Sequence, residues 1–517
     1  RLSNLDVLNQ LFEEHWSSLP MLEGCREAQS RGIVATPLLS PADILVDEHF
    51  AARGSFRRTE VAPGLRAPVM AGLWEVDGER VGYRFRSPAL GEHEAGFTGT
   101  RFMGSVGRQP TAGDAVDLPL RGLRVADFGH GGVGVECGRM LAEYGAEVVK
   151  VESHAYPDFI RIVLGGVMTA SFASSSRSKR GFGADLKHPA GREVVLDLVR
   201  GADIVIENFA YGVLDRWGLG YEDMKKLRSD IIYLSMSGFG HTGRDRDYQT
   251  IGAIAQALSG LTYTSGLPDK PPAGWGWSYL DDTGGLFGAM YALSAIYHRN
   301  MTGQGQHVDS SQWIIGVPLN GAAFLDIQAN ERSTMRTGYP PGNRAHWPGT
   351  PLVNNYRGPT VAPHNAYKSS QGAYNDWCAI VCRSDDEWRR LVGVMGSPSW
   401  ANGEKFATLE GRLEYQEELD QGIEAWTITL GKYEIMERCQ AAGVAAMPVQ
   451  NSQDRVDNDP QLRHREMYRD VEHPALGTWP LQNAPFDMSE TPAFNSRPGP
   501  LIGGHNKGVF EGLLGIS

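Results

Sequence analysis

The sequence predicts an α/β fold, Rossmann-like with a parallel sheet, present as a partial N-terminal copy and one complete copy. Three observations carry this. Residues 120–152, LRGLRVADFGHGGVGVECGRMLAEYGAEVVKVE, run from apolar strand through a glycine turn and a helix to a second strand. Two distant segments repeat each other at one constant offset. Further on, DWCAIVCRSDDEWRRLVGVMG (residues 376–396) reads as a strand followed by an amphipathic helix.

The repeat comes first in chain order. Residues 31–56 match residues 442–468: Asp47 pairs with Asp459, Arg53 with Arg465, and beyond them Pro88 with Pro500. Upstream, EEHWSS at 13–18 echoes GIEAWT at 422–427. Matching of this length at one offset reads as a duplicated module. Residues 1–94 are then the C-terminal part of a first module, whose head would precede Arg1. Residues 95–117 are rich in Gly, Ser and Thr with no apolar period, which reads as a linker. The complete second module follows from 118.

That module opens with a strand at 123–128, a helix at 135–144 and a strand at 147–151. The turn Gly129-His130-Gly131-Gly132-Val133-Gly134 fits G-x-G-x-x-G, and Glu152 ends the second strand. By spacing this is a dinucleotide fingerprint, so an NAD-dependent oxidoreductase is one reading. A tight turn that packs helix on strand without a ligand is the other.

Composition narrows the function classes. A chain of 517 residues holds more than one domain. Lys+Arg 49 against Asp+Glu 61 gives a net charge of −12, which argues against a nucleic-acid partner. No apolar run is long enough to span a membrane, and no stretch reads as a signal peptide, so none is expected. Five cysteines are too few for a disulfide framework and suit a reduced, cytoplasmic protein. Cys378 and Cys382 share one face of an apolar run and read as core rather than as a metal pair.

The chemistry concentrates in residues 271–306, PPAGWGWSYLDDTGGLFGAMYALSAIYHRNMTGQGQ. Trp275, Trp277 and Tyr279 crowd ahead of Asp281 and Asp282. A small-residue helix is expected over 284–299, with Leu286, Met290, Leu293 and Tyr297 spaced for one apolar face. The TGQGQ turn closes it. A carboxylate ahead of a helix is an ordinary N-cap. The same place holds it ionised, because a helix N-terminus favours negative charge. An ionised carboxylate beside aromatic walls is a usable nucleophile.

Three further runs stand in order: SKR-G-x-x-x-DLK from Ser178, ENF-x-x-G-x-LDR-x-G from Glu207, and S-x-S-G-F-G from Ser235. With the Asp281 stretch they resemble the class III CoA-transferases. The resemblance implies the class III CoA-transferase fold. This has a Rossmann-like large domain (118–335), a smaller α/β domain (336–450) and a return to the large domain with a C-terminal tail (451–517). A further buried helix is expected over 308–325. The resemblance implies coenzyme A or an acyl-CoA as co-substrate and no metal. Asp281 would be the catalytic residue, with Asp282 one step away. CoA would be met by Gly131, Gly132, Val133, Lys179, Asn208, Phe209 and Arg216. Ser153 departs from the pattern, since some members carry Arg after the strand-end Glu; His154 is the neighbouring substitute.

The resemblance also implies acyl-aspartyl and aspartyl-CoA intermediates. A glycine-rich loop at 338–351 would close over them, here carrying Arg344, His346 and Trp347, with backbone N–H groups near Gly342 facing the oxyanions. Family members are interlocked dimers, so an intertwined homodimer or an intramolecular pseudo-dimer with the first module is implied. Trp275, Trp277, Tyr279 and Trp347 read either as core or inter-module packing or as a cage for an onium group, since a cation over an aromatic face gains about 0.5–2 kcal/mol. Carnitine-type betaines and dimethylsulfoniopropionate (DMSP) are such acids; DMSP, taken to its CoA thioester from a donor such as acetyl-CoA and then cleaved to dimethyl sulfide and 3-hydroxypropionyl-CoA, is the expected acceptor, and carnitine or a dicarboxylate exchanged without that cleavage is the alternative. Cleavage of a DMSP thioester would need a base, Asp281 or Asp282.

Overall fold

The structure, a computed structural model, describes residues 5–92, 118–163, 166–266, 271–276, 279–331, 334, 361–370, 376–484, 487–493 and 495–516. These form two compact units. One comprises Arg1–Tyr263, Gly274–Ser333 and Met467–Ser517; the other comprises Thr264–Ala273 and Thr334–Glu466. The chain thus leaves the second unit at Met467, later than the boundary at 451 that the sequence suggests.

In the first unit, a hairpin of β1 (Phe56–Ala62) and β2 (Leu65–Met70) precedes two short strands, β3 (Trp74–Val76) and β4 (Glu79–Val81). The second module then supplies β5 (Arg124–Asp127), β6 (Glu147–Glu152), β7 (Arg180–Gly183), β8 (Ile204–Glu207), β9 (Ile232–Ser235) and β10 (His307–Ser310). They assemble in the order β4-β3-β10-β9-β8-β5-β6-β7, parallel from β10 to β7. From β5 the chain builds one way through β6 and β7, then returns to add β8, β9 and β10 on the other side. The carboxyl ends of β5 and β8 are therefore a topological switch point. Both faces of this sheet are covered, which is why β8 and β9 are buried at every position. Val125, Ile204, Ile206 and Leu234 pack to one face, and Ala126, Val149, Val205 and Tyr233 to the other.

Residues 74–81 extend this sheet beyond β10. β3 pairs antiparallel with β10, placing Trp74 opposite Ser310. Phe50 is fully buried against Trp313, with ring centroids 3.6 Å apart. Both terminal nitrogens of Arg53 lie 3.2 Å from Asp309 Oδ2.

The second unit carries an antiparallel sheet of β11 (His364–Lys368), β12 (Trp377–Val381) and β13 (Ala445–Val449). Cys378, Cys382 and Cys439 are buried in its core with Ile380, Trp388 and Ile423. In the first unit, β14 (Tyr468–His473) and β15 (Gly477–Gln482) form a hairpin that repeats β1 and β2. The copies also share a cap. Asp47 accepts from the N–H groups of His49 and Phe50, and Asp459 accepts from that of Leu462. Their burial differs: Arg53 is buried, whereas its counterpart Arg465 is exposed.

Three expectations are corrected. The helix after the tryptophans spans Tyr279–Thr302, so Asp281 and Asp282 lie in its first turn and are not caps. Its apolar stripe faces outward from this unit: Leu286, Met290, Leu293 and Tyr297 are all exposed. The face turned inward is the small one, Gly284, Gly285, Gly288, Ala289 and Ala292. It approaches the helix Val133–Glu143 so closely that a Cβ on Gly285 would lie 2.3 Å from Glu136 Cβ. Third, residues 308–325 are not one helix. Residues 307–310 pair with strands on both sides as β10, and the helices Gln312–Gly316 and Gly321–Asn330 follow, separated by a 3₁₀ turn containing Pro318.

Candidate active site

Asp281 is held from three sides. The segment before it is tied to Gln256, whose Oε1 accepts from Trp275 N–H (2.9 Å) and whose Nε2 donates to Gly276 C=O (3.1 Å). Two glycines leave room for its carboxylate. A Cβ on Gly132 would sit 2.3 Å from the carboxyl carbon, and a Cβ on Gly252 would sit 2.3 Å from Oδ2. The third contact is Gln312, whose Nε2 donates to Oδ1. Gln312 is buried just past β10, with its own N–H on Ser237 C=O at 3.0 Å. Burial pushes the Asp281 carboxyl up to about 7; the Gln312 hydrogen bond pulls it down, while Asp282 and Glu136 push it further up. Asp282 is raised to about 6 by desolvation and by Glu136, against the pull of Arg139. Its side chain is nonetheless exposed. Asp281 is the carboxylate with the constrained geometry.

The glycine loop opposite Asp281 is wired internally. Gly129 N–H donates to Asp127 (2.8 Å), His130 N–H to Asn208 Oδ1 (2.7 Å), Gly131 N–H to Asp158 (3.0 Å) and Gly132 N–H to His130 C=O (2.9 Å). Asn208 Nδ2 returns a bond to His130 C=O at 2.8 Å. Lys150, with no exposed side chain, donates to Gly129 C=O and pairs with Asp158 at 3.0 Å. Burial alone would lower the Lys150 ammonium, but Asp158, Glu152 and Asp127 hold it above its ordinary value. A diphosphate bound at such a turn needs free N–H groups, and these four are spent within the protein. Glu152, the position that would meet a ribose, is paired to Arg161 at 2.7 Å. The glycines serve backbone geometry instead. Gly131 has φ +76, and a Cβ there would strike the Phe159 ring.

The other sequence-derived positions separate. Lys179 is fully buried; its ammonium donates to Asp127 (2.7 Å) and to Val135 C=O (2.6 Å), so it anchors the loop rather than presenting charge to a phosphate. Asn208 clamps the loop, as described. Val133 begins the helix Val133–Glu143 and is buried. Arg216 is exposed. Phe209 does line an open cavity of about 450 Å³ with Phe128, His130, Ser153, Tyr156 and Lys187. This cavity lies at the carboxyl ends of β5, β6, β7 and β8. Ser153, where an Arg was missing, accepts from Tyr156 N–H at 3.1 Å, and His154 is exposed. Trp275 and Tyr279 lie with ring centroids 5.0 Å apart, and Trp275 is 44% exposed. Trp277, Trp347 and the 338–351 loop lie outside the described residues.

Sequence reasoning missed Gln312, Gly252 and Asp158. Gln312 follows a strand in a run, HVDSSQW, that has no catalytic pattern of its own; only the fold brings it to Asp281. Among the described residues, no group of three or more His, Cys, Asp or Glu is placed to hold a metal, and no helix is long and apolar enough to cross a membrane.

Comparison with known proteins follows this geometry. The model of CoA-transferase family III matches residues 1–94 and 120–506. A probable CoA-transferase of Mycobacterium tuberculosis is 32% identical over 527 residues, which covers 100% of this chain and 63% of the relative. The chain therefore spans under two thirds of that relative's length. A succinyl-CoA–D-citramalate CoA-transferase of Chloroflexus aurantiacus is 34% identical over 77% of this chain and 95% of its own. Among solved structures, a CaiB/BaiF family protein from Brucella suis superposes with a TM-score of 0.66 at 29% identity, covering 76% of this chain and 98% of its own.

Proposed function

The chain belongs to CoA-transferase family III, and on that premise we propose that it exchanges coenzyme A between carboxylic acids through covalent intermediates on Asp281. The observation that carries the residue assignment is the Asp281 socket: a carboxylate seated between Gly132 and Gly252 and oriented by Gln312. Nucleophilic catalysis divides one difficult acyl exchange into easier steps. The Asp281 carboxylate attacks an acyl-CoA thioester, giving a mixed anhydride and free CoA thiolate. The thiolate returns to the aspartyl carbon, and the first acid leaves. An acceptor carboxylate then attacks the aspartyl-CoA thioester, and the thiolate finally takes the new acyl group. The cavity lined by Phe209, Tyr156 and Lys187 at the carboxyl ends of the strands is the place for the nucleotide end of CoA. A nicotinamide enzyme is disfavoured by the spent N–H groups of the glycine loop.

For the acceptor we propose DMSP: a base takes the proton α to the new thioester, dimethyl sulfide leaves with the C–S pair to give acryloyl-CoA, and addition of water yields 3-hydroxypropionyl-CoA. The aromatic pair Trp275–Tyr279 supports an onium substrate, and the repeated module resembles the tandem architecture of the DMSP CoA-transferase/lyase. The second reading is carnitine, another betaine or a dicarboxylate as acceptor, without the lyase step. It is favoured by relatives whose names specify D-citramalate, glutarate and oxalate. Parallel incubations of acetyl-CoA with DMSP and with a dicarboxylate separate them: dimethyl sulfide in the headspace of the first supports DMSP, and exchange onto the dicarboxylate with no sulfide from DMSP supports the second reading. Pairing with a first module or a second chain is supported by the outward stripe Leu286, Met290, Leu293 and Tyr297.

A further inference from the structure

We propose that Gln312 is a catalytic residue. It fixes Oδ1 of Asp281 so that Oδ2 attacks, and it then donates to Oδ1 when that oxygen becomes the oxyanion of the aspartyl carbon. This rests on the nucleophile reading above.

Three facts of the geometry support it. The Gln312 amide reaches Oδ1 and no other carboxylate atom. Oδ2 is the carboxylate oxygen that lies against Gly252, where a Cβ would come within 2.3 Å of it, so the missing side chain is what leaves that oxygen room. Gln312 is 4% exposed, and its backbone N–H is held by Ser237 C=O at 3.0 Å. The two carboxylate oxygens are therefore unequal before any substrate arrives.

That inequality has consequences at each step. In the first step an Oδ2 electron pair forms the O–C bond to the thioester carbonyl, and the C–S pair leaves on the CoA sulfur. In the second step the thiolate sulfur bonds to the aspartyl carbon and the C=O pair moves onto Oδ1. Collapse of that tetrahedral species breaks the bond from the carbon to Oδ2, and Oδ2 departs with the first acid. When the acceptor carboxylate attacks the aspartyl-CoA thioester, Oδ1 becomes the oxyanion a second time. The remaining step, return of the thiolate to the acceptor's carbonyl, regenerates the Asp281 carboxylate. A donor already within hydrogen-bond reach of the ground-state oxygen needs no rearrangement to serve in both aspartyl-centred steps. The same bond lowers the carboxyl that burial raises, which keeps more of it ionised for the first attack.

The test uses the full chain with Gln312→Leu and Gln312→Glu, the latter keeping the volume while removing the donor in its ionised form. Melting curves establish that each is folded. For both, kcat should fall by roughly 10²–10³-fold, the loss typical of one oxyanion donor, with little change in KM. In Gln312→Leu the acid limb of the rate profile should also move to higher pH, which a purely structural role would not produce. Intact mass after acyl-CoA should shift from a CoA adduct in the wild type to an acyl adduct in the variant, because the second step is the slowed one. A folded variant with wild-type kcat and an unmoved acid limb overturns the inference. Failure of the parent reading is seen separately, in the wild type itself, as the lack of any adduct on Asp281.

Discussion

The glycine loop at 129–132 and the Asp281 carboxylate meet at Gly132, yet their chemistry is opposite. Asp127, Asn208, Asp158 and Lys150 satisfy the loop's polar backbone until it has little left to offer a ligand. Among the described residues, Asp281 receives one side-chain hydrogen bond, from Gln312, at one of its two oxygens. The loop resembles a cofactor cradle in sequence, yet its N–H groups are spent inside the protein; the aspartate resembles a helix cap in sequence, yet it is the carboxylate we propose as the nucleophile. A buried polar group left incompletely satisfied is costly, so the economical place to find function is where the partners run short.

The largest effect should come from Asp281→Asn, with CoA exchange falling about a thousandfold or more because no carboxylate remains to take the acyl group. Isotope exchange between an acyl-CoA and its free acid measures this, and a residual rate near wild type would erase the contrast. On the loop side, Asp158→Ala should lower stability by about 3–5 kcal/mol, since it strands Lys150 in a site with no exposure. Urea unfolding reads that loss. A near-neutral result would mean the loop is not wired as described.

The pH dependence sharpens the comparison. Asp281 has a folded-state value raised to about 7. The folded protein therefore holds that proton more tightly than the unfolded chain, and stability from this group falls as pH rises from the ordinary Asp range, near 3.9, through 7. Asp281→Asn should consequently stabilise the protein at pH 8 and not at pH 4, while wild-type exchange should rise with pH through about 7 as the nucleophile ionises. Smaller still is Asp282→Asn, expected within about tenfold of wild-type turnover, one 1.4 kcal/mol step, because its carboxylate lacks the Gln312 contact.

Much of this was legible before the structure. Residues 120–152 fold as strand, turn, helix and strand because their apolar pattern and glycines allow little else. Asp281 stood out through its neighbours and the TGQGQ turn. What could not be read depended on partners far along the chain. Lys179 looks like a surface cation until Asp127, on a neighbouring part of the sheet, takes its charge into the core. The stripe from Leu286 to Tyr297 has the spacing of a core face, yet the glycines beside it let a helix approach so closely that the small face is buried instead. Gln312 carries no local signal, since its contact with Asp281 exists only where β10 delivers it to the first turn of another helix.

The most direct measurement is peptide mass spectrometry after incubation with acyl-CoA and quenching in hydroxylamine, which converts an activated aspartyl carbonyl to a hydroxamate. The account predicts the hydroxamate on Asp281. An unmodified Asp281 during continuing CoA exchange, or a hydroxamate on Asp282 in its place, would contradict it.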